Sequence, residues 1–222
     1  MTNRAIRASR FTLPALLLLP LIGVYGGWAA ITVDDLPDYG VARQPLNLTF
    51  TVRQHGVTRL SNLEPRVEAR GSRGTTAAVA VPGGEAGQYT ARLVPPQSGE
   101  WTITIHSGFG PGRVTLLPIP VIEPGAQPPA ALPAAERGRR LFVAKGCVTC
   151  HLHRDVSGSG TVAVGPELPS RRLAPEYLQR FLADPATLGS SNRMPNLNLK
   201  QPEIAALIAF LNNAERQVGA GN

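Results

Sequence analysis

The stretch KGCVTCHLH, residues 145–153, constrains this chain more than any other. It holds both cysteines of the 222-residue sequence, Cys147 and Cys150, and two of its four histidines, His151 and His153. Cys-x-x-Cys followed at once by His is the spacing at which a c-type haem is attached. Each thiol adds to one vinyl group of the haem, and the adjacent imidazole is left under the iron as its proximal ligand. A redox dithiol does not require that histidine. A zinc site needs two further ligands, no third cysteine exists, and His153 is awkwardly close to His151 for a shared tetrahedral site. A structural disulfide stays open for an exported chain, but it would close a very short loop and gain little. The choice among these decides how the rest of the chain is read.

Export is legible at the N-terminus. Residues 11–33, FTLPALLLLPLIGVYGGWAAITV, carry no charge. As a helix they would span roughly 35 Å, against a bilayer core of about 30 Å. Arg4, Arg7 and Arg10 precede the segment, and Asp34 and Asp35 follow it. The arginines place residues 1–10 in the cytoplasm and the remainder outside. A cleaved signal peptide is the competing reading, with Gly27-Trp28-Ala29 as a small-x-small cleavage site. The longer apolar run favours a retained single-pass anchor in the cytoplasmic (inner) membrane, with Trp28 at the membrane interface.

Residues 34–122 read as a small all-β, immunoglobulin-like sandwich. LNLTFTV (46–52) alternates Leu46, Leu48, Phe50 and Val52 against polar residues, the period of a half-buried strand. TTAAVAV (75–81), GQYTARLV (87–94), EWTITIH (100–106) and RVTLLPIPVI (113–122) are four further strands, separated by Pro/Gly-rich turns. Trp101 falls on the inward face and is expected in the core. Residues 123–133 are Pro/Ala-rich and read as a semi-rigid linker. Helices are expected over 134–146, 174–184 and 201–217, the last from Ile204, Leu207, Ile208 and Leu211 at i, i+3, i+4, i+7. Residues 134–217 form the all-α domain and 218–222 a flexible tail.

Two stretches resemble known families. GQYTARLVPPQSGEWTI is similar to the Gly-x-Tyr, Gly-x-Trp pattern of YtkA-like and FixH-like extracytoplasmic β-sandwich domains. Residues 134–216 resemble a class I, monohaem bacterial cytochrome c. GRRLFVAKGCVTCH is similar to that family's first helix running into its haem site, with Gly138 at the helix crossing and Phe142 beside it. ALIAFL (206–211) resembles the crossing segment of the last helix, with Leu207 and Phe210 at packing positions. GPEL (165–168) resembles a loop whose carbonyl, here that of Pro166, accepts a hydrogen bond from the proximal histidine. RMPNL (193–197) resembles the distal loop, which makes Met194 the sixth ligand of the iron. Met194 also stands out by counting, because the other of the two methionines is Met1. The resemblance thus implies one covalent haem c on Cys147 and Cys150, ligated by His151 and Met194. Arg193 and Tyr177 are candidates for propionate contacts, with solvated surface positions as the alternative.

The remaining features exclude more than they assign. The net charge of +7 divides into +3 before residue 11, zero over 34–132 and +4 over 133–222. Neither basic part is a dense Lys/Arg block with interleaved aromatics, so nucleic acid is not an expected partner. Arg139, Arg140, Arg171 and Arg172 either steer an acidic redox partner or form a solvated face. His55 and His106 are read as surface or strand-end residues. The domain order resembles subunit II of haem-copper oxidases with a fused cytochrome c, but the cysteines and methionine of that subunit's copper site are missing from the β region.

The expected protein is a membrane-anchored cytochrome transferring single electrons in a respiratory or photosynthetic chain. The sandwich and linker hold its haem domain away from the membrane on the periplasmic side. No small-molecule substrate and no enzymatic residue set are expected. The alternative is an accessory or structural subunit of a membrane electron-transfer complex, in which the sandwich does the docking. A haem enzyme would need an open iron position or a second cofactor, and neither is visible in the sequence.

Overall fold

The computed structural model describes residues 27–156, 161–168, 172–189 and 193–213. Eleven strands come first: β1 (Ala29–Val33), β2 (Gly40–Val41), β3 (Leu46–Gln54), β4 (Thr58–Arg59), β5 (Arg66–Gly71), β6 (Gly74–Val79), β7 (Val81–Pro82), β8 (Gln88–Leu93), β9 (Gly99–His106), β10 (Arg113–Thr115) and β11 (Ile119–Ile122). They make two sheets. One runs β1-β3-β8-β7, with β4 also on β3; the other runs β2-β11-β9-β5-β6, with β10 also on β9. Of these pairings only β2 with β11 is parallel.

The alternation read in β3, β8 and β9 is the reason β3 and β8 of one sheet face β9 of the other. Leu48 and Phe50 of β3, Tyr89 and Ala91 of β8, and Trp101, Ile103 and Ile105 of β9 are buried. Each large apolar side chain so buried contributes roughly 1.5–3 kcal/mol. Trp101 is 1% exposed and donates its indole N–H to the Gln97 carbonyl at 3.0 Å, so the core indole keeps a partner. Tyr89 does likewise through its hydroxyl, 2.8 Å from the Leu60 carbonyl.

Several expectations are corrected. Residues 29–33 do not continue an apolar helix: they are β1, paired in register with Phe50 to Gln54 of β3. All five residues of β1 are buried. One face lies in the sandwich and the other meets the helical domain, so the strand reads as an unbroken apolar run rather than an alternating one. Gly27 and Trp28 also lie outside any helix. Residues 1–26, the bulk of the expected anchor, lie outside the described residues. Among the described residues no helix is long and apolar enough to cross a membrane. The expected strand 113–122 is two, β10 and β11, broken before Pro118, and the expected strand 75–81 divides at Ala80 into β6 and β7. Strand β5 was not expected. Only Val67 and Ala69 of RVEARG point inward, too weak a pattern to register.

The helical part contains α1 (Ala134–Ala144), α2 (Cys147–Cys150), α3 (Pro175–Ala183), a 3-10 turn (Pro185–Leu188) and α4 (Gln201–Leu211). Helices α1 and α4 cross at Gly138. A Cβ there would stand 2.0 Å from the Ala206 carbonyl oxygen, so only glycine permits the approach. Residues 214–222, the expected end of α4 and the tail, lie outside the described residues.

The linker 123–133 is exposed, yet it does not hold the two parts away from each other. They dock along β1 and the loop that follows it. Lys145, 3% exposed, donates to the Asp34 carbonyl at 2.7 Å and pairs with Glu203 of α4 at 2.8 Å. Arg137 donates to the Leu36 carbonyl at 2.8 Å and pairs with Asp38 at 2.6 Å. Arg140 donates to the Pro118 carbonyl, and Lys200 pairs with Asp35. The buried Arg53 of β3 donates to the Thr32 hydroxyl at 3.0 Å, and that hydroxyl lies 3.4 Å from the Lys145 carbonyl. Burial depresses the Arg53 pKa, the cost of placing a guanidinium at this seam.

Candidate haem-binding site

Helix α1 delivers the chain to the site and stops at Gly146, whose φ of 78° lies in the left-handed region. The next residues wind one helical turn, α2, which places Cys147 and Cys150 three apart on one side of the turn. Burial pushes the Cys147 thiol up to about 12 and that of Cys150 upward as well. Both therefore stay protonated at neutral pH, the opposite of the lowered pKa of a reactive dithiol.

The segment 161–168 is fastened along this turn. The Thr161 hydroxyl donates to the Val148 carbonyl and Val162 N–H to that of Thr149, both at 2.8 Å. Gly165 N–H donates to the Cys150 carbonyl at 2.9 Å and Leu168 N–H to that of Leu152 at 2.8 Å. This register sets Pro166 opposite His151, whose Nδ1 lies 2.8 Å from the Pro166 carbonyl oxygen. A carbonyl only accepts, so Nδ1 carries the proton and Nε2 keeps its lone pair for a metal. Gly165 makes room for the ring: a Cβ there would sit 2.5 Å from His151 Cε1.

Beside these groups lies a cavity of about 1070 Å³, at the upper end of the usual range for ligand sites. Cys147, Cys150, His151 and Met194 all line it, among Phe142, Leu178, Leu182 and Leu207. Two thiols, an imidazole presenting Nε2, a thioether and an apolar wall suit a haem in shape and donor set. Pro166, Tyr177 and Arg193 line the same cavity. Tyr177 is 39% exposed and stacks on Phe181 at 5.7 Å; Arg193 is exposed. Every residue expected at the site from the sequence is thus on its wall.

His153 is not on that wall. It is 5% exposed, stacked on Phe210 at 4.4 Å and within 5.4 Å of Phe142, at the α1–α4 crossing. Its Nδ1 accepts from Asp155 N–H at 3.1 Å, and burial lowers its pKa. It is a neutral core residue. Arg139 and Arg140 both pair with Glu136, and Arg140 also holds Pro118, so those two cations are engaged within the chain. Arg171 lies outside the described residues. His106 is at a strand end, 4.0 Å from Glu68. His55 is exposed directly after the end of β3, the strand-end position expected of it, and it also lines the cavity; Trp28, expected at a membrane interface, lines the cavity as well. No local pattern connects them to a motif roughly a hundred residues away.

The match of residues 133–211 to a cytochrome c family makes this helical part a cytochrome c domain, a class of domain that carries electrons. Residues 133–211 match the family described as "Cytochrome C oxidase, cbb3-type, subunit III". Among curated proteins none matches the chain. Among solved structures the chain is similar to the "Crystal structure of the Lin-41 filamin domain", with 17% identity and a TM-score of 0.33, over 42% of this chain and 90% of that one.

Proposed function

We propose that this protein is an exported, membrane-anchored carrier of single electrons with one covalent haem c. In this reading the thiols of Cys147 and Cys150 add across the two vinyl groups, each S–H giving a thioether without net redox change. His151 Nε2 and the Met194 sulfur would hold the iron, and Arg193 and Tyr177 would lie near the propionates. The observation that carries the reading is the 2.8 Å contact of His151 Nδ1 with the Pro166 carbonyl, inside a cavity that both thiols and Met194 share. Bound haem supplies a one-electron couple. The chain's residues hold it, fix the imidazole tautomer and exclude water, which limits reorganisation on electron transfer. His/Met ligation raises the potential and leaves no open position for a substrate.

The haem and sandwich domains lie on the periplasmic side of the inner membrane in this proposal, and the partners are redox proteins of a respiratory or photosynthetic chain. The subunit III match supports membership of a membrane electron-transfer complex. The second reading, an accessory subunit that docks through its sandwich, draws on the same match. A stable complex after mild detergent extraction would favour it. Retention of the N-terminal segment is supported by the position of Trp28. Cleavage after Gly27-Trp28-Ala29 would remove that indole from the site and the first residue from β1.

The optical spectrum of the oxidised protein tests the carrier reading. A weak near-infrared band from methionine sulfur to iron is expected, and Met194→Ala should abolish it and lower the potential. A high-spin spectrum that changes with added cyanide would contradict the reading.

A further inference from the structure

The cavity at the haem-binding motif is not built by the helical domain alone. Trp28, His55 and Val57, all from the sandwich, line it together with Met194 and Pro195. Trp28 directly precedes β1, and its carbonyl accepts from His55 N–H at 3.0 Å. The two rings meet edge-on, centroids 5.7 Å apart and planes at 63°. The β3–β4 turn is left-handed at His55 (φ 51°) and at Gly56 (φ 76°). Gly56 is buried, and a methyl placed on it would reach both Pro195 Cγ and Trp28 Cη2 at 3.7 Å, an ordinary contact distance. The turn, the indole and the Met194-Pro195 segment therefore sit against one another.

The docking contacts fix this arrangement. The loop leading from β1 is held by Lys145, Arg137 and Lys200, and β1 itself meets the close approach of Gly146 to Ile31. A linker-tethered spacer would put no side chain in the cavity. This sandwich puts three there: Trp28 is half-buried, and His55 and Val57, the latter 62% exposed, stand at the cavity rim.

We infer that Trp28 and the β3–β4 turn are haem-pocket residues, covering the Met194 flank of the cavity and keeping water from the Met194 thioether. The inference rests on the haem reading above and adds the cofactor contacts which that reading lacked. The indole brings a large rigid apolar surface. Drying the iron's surroundings disfavours the more highly charged oxidised state, so the cover raises the reduction potential. Contact with Pro195 restrains the segment that carries Met194, so the cover also slows displacement of the thioether.

The test uses the full-length holoprotein with Trp28→Ala, Trp28→Phe, His55→Ala and, on the sandwich edge, Val81→Ser, where the native side chain is 61% exposed. Midpoint potential and the rate of methionine displacement by added imidazole are measured on the oxidised protein. Trp28→Ala should shift the one-electron equilibrium about tenfold towards the oxidised form, a fall of roughly 59 mV, and should admit imidazole faster. Trp28→Phe should recover most of both, His55→Ala should give a smaller change in the same direction, and Val81→Ser should match wild type. If Trp28→Ala fails to load haem, His55→Ala and Trp28→Phe against wild type decide the matter by the same readouts. Wild-type values in Trp28→Ala and His55→Ala would overturn the covering role, as would an equal shift in Val81→Ser. A wild-type protein without the sulfur–iron band would overturn the Met194 assignment and the covering role with it. A wild-type band with unshifted variants overturns the covering role alone.

Discussion

The two halves of this protein bury apolar surface in different ways. In the sandwich, Trp101, Tyr89, Phe50 and the isoleucines of β9 fill the space between the sheets with the chain's own side chains. The helical domain closes tightly only where α1 crosses α4, around Gly138, Phe142, His153 and Phe210. Between that crossing and α3 it leaves a cavity of about 1070 Å³. One half carries a complete core in its sequence. The other is finished by a cofactor and by the neighbouring sheet, through Lys145, Arg137 and β1. The contrast teaches that the sandwich lines part of the cavity as well as lying beside the helical domain.

The contrast breaks most completely if the cofactor is never attached. Cys147→Ser with Cys150→Ser should leave the sandwich protected from protease while residues beyond the linker are digested. Equal protection of both parts would show that the helical domain completes its own core. The next largest effect is expected at the seam. Lys145→Met strands Glu203, which is nearly buried, and removes the donor to the Asp34 carbonyl. Breaking such a pair from one side costs about 3–5 kcal/mol. The holoprotein should melt in one transition and the Lys145→Met variant in two, and adding Glu203→Leu should recover part of the loss.

A smaller effect sharpens the comparison within α1. The hydrogen bond from Arg139 lowers the Glu136 pKa below its ordinary 4.5, with Arg140 adding to it. An acid with a depressed folded-state pKa contributes stability above its unfolded value and loses it as pH falls through the folded one. The side chain is about 30% exposed, so with solvent screening Glu136→Gln should cost only about 0.5 kcal/mol at pH 7. The difference from wild type should shrink below pH 4.5 and vanish below the folded-state pKa, as chemical denaturation at several pH values would show.

Legibility in the sequence followed the physics of each part. Strands β8, β9 and the first half of β3 showed themselves because one face is buried and the other is less so. Strand β1 hid inside an apolar run because both of its faces are covered. The thiols, His151, Pro166 and Met194, which share one cavity, were readable because the proposed covalent attachment and iron ligation demand particular residue types at particular spacings. The seam was not. It is made of backbone carbonyls at Asp34, Leu36 and Pro118 meeting long cations, and carbonyls leave no mark in a sequence. His153, two residues from His151, looked like a bystander. It is a packing residue because the backbone bridges it to Val156 and Leu168 and turns its ring onto Phe210.

The central claim is a single haem held covalently by Cys147 and Cys150, and the mass of the purified chain with a peptide map of residues 145–153 tests it most directly. The account predicts an addition of one haem per chain, carried entirely by that peptide, with the N-terminal segment through Trp28 still present. Unmodified thiols in that peptide, or a haem lost on denaturation, would contradict it.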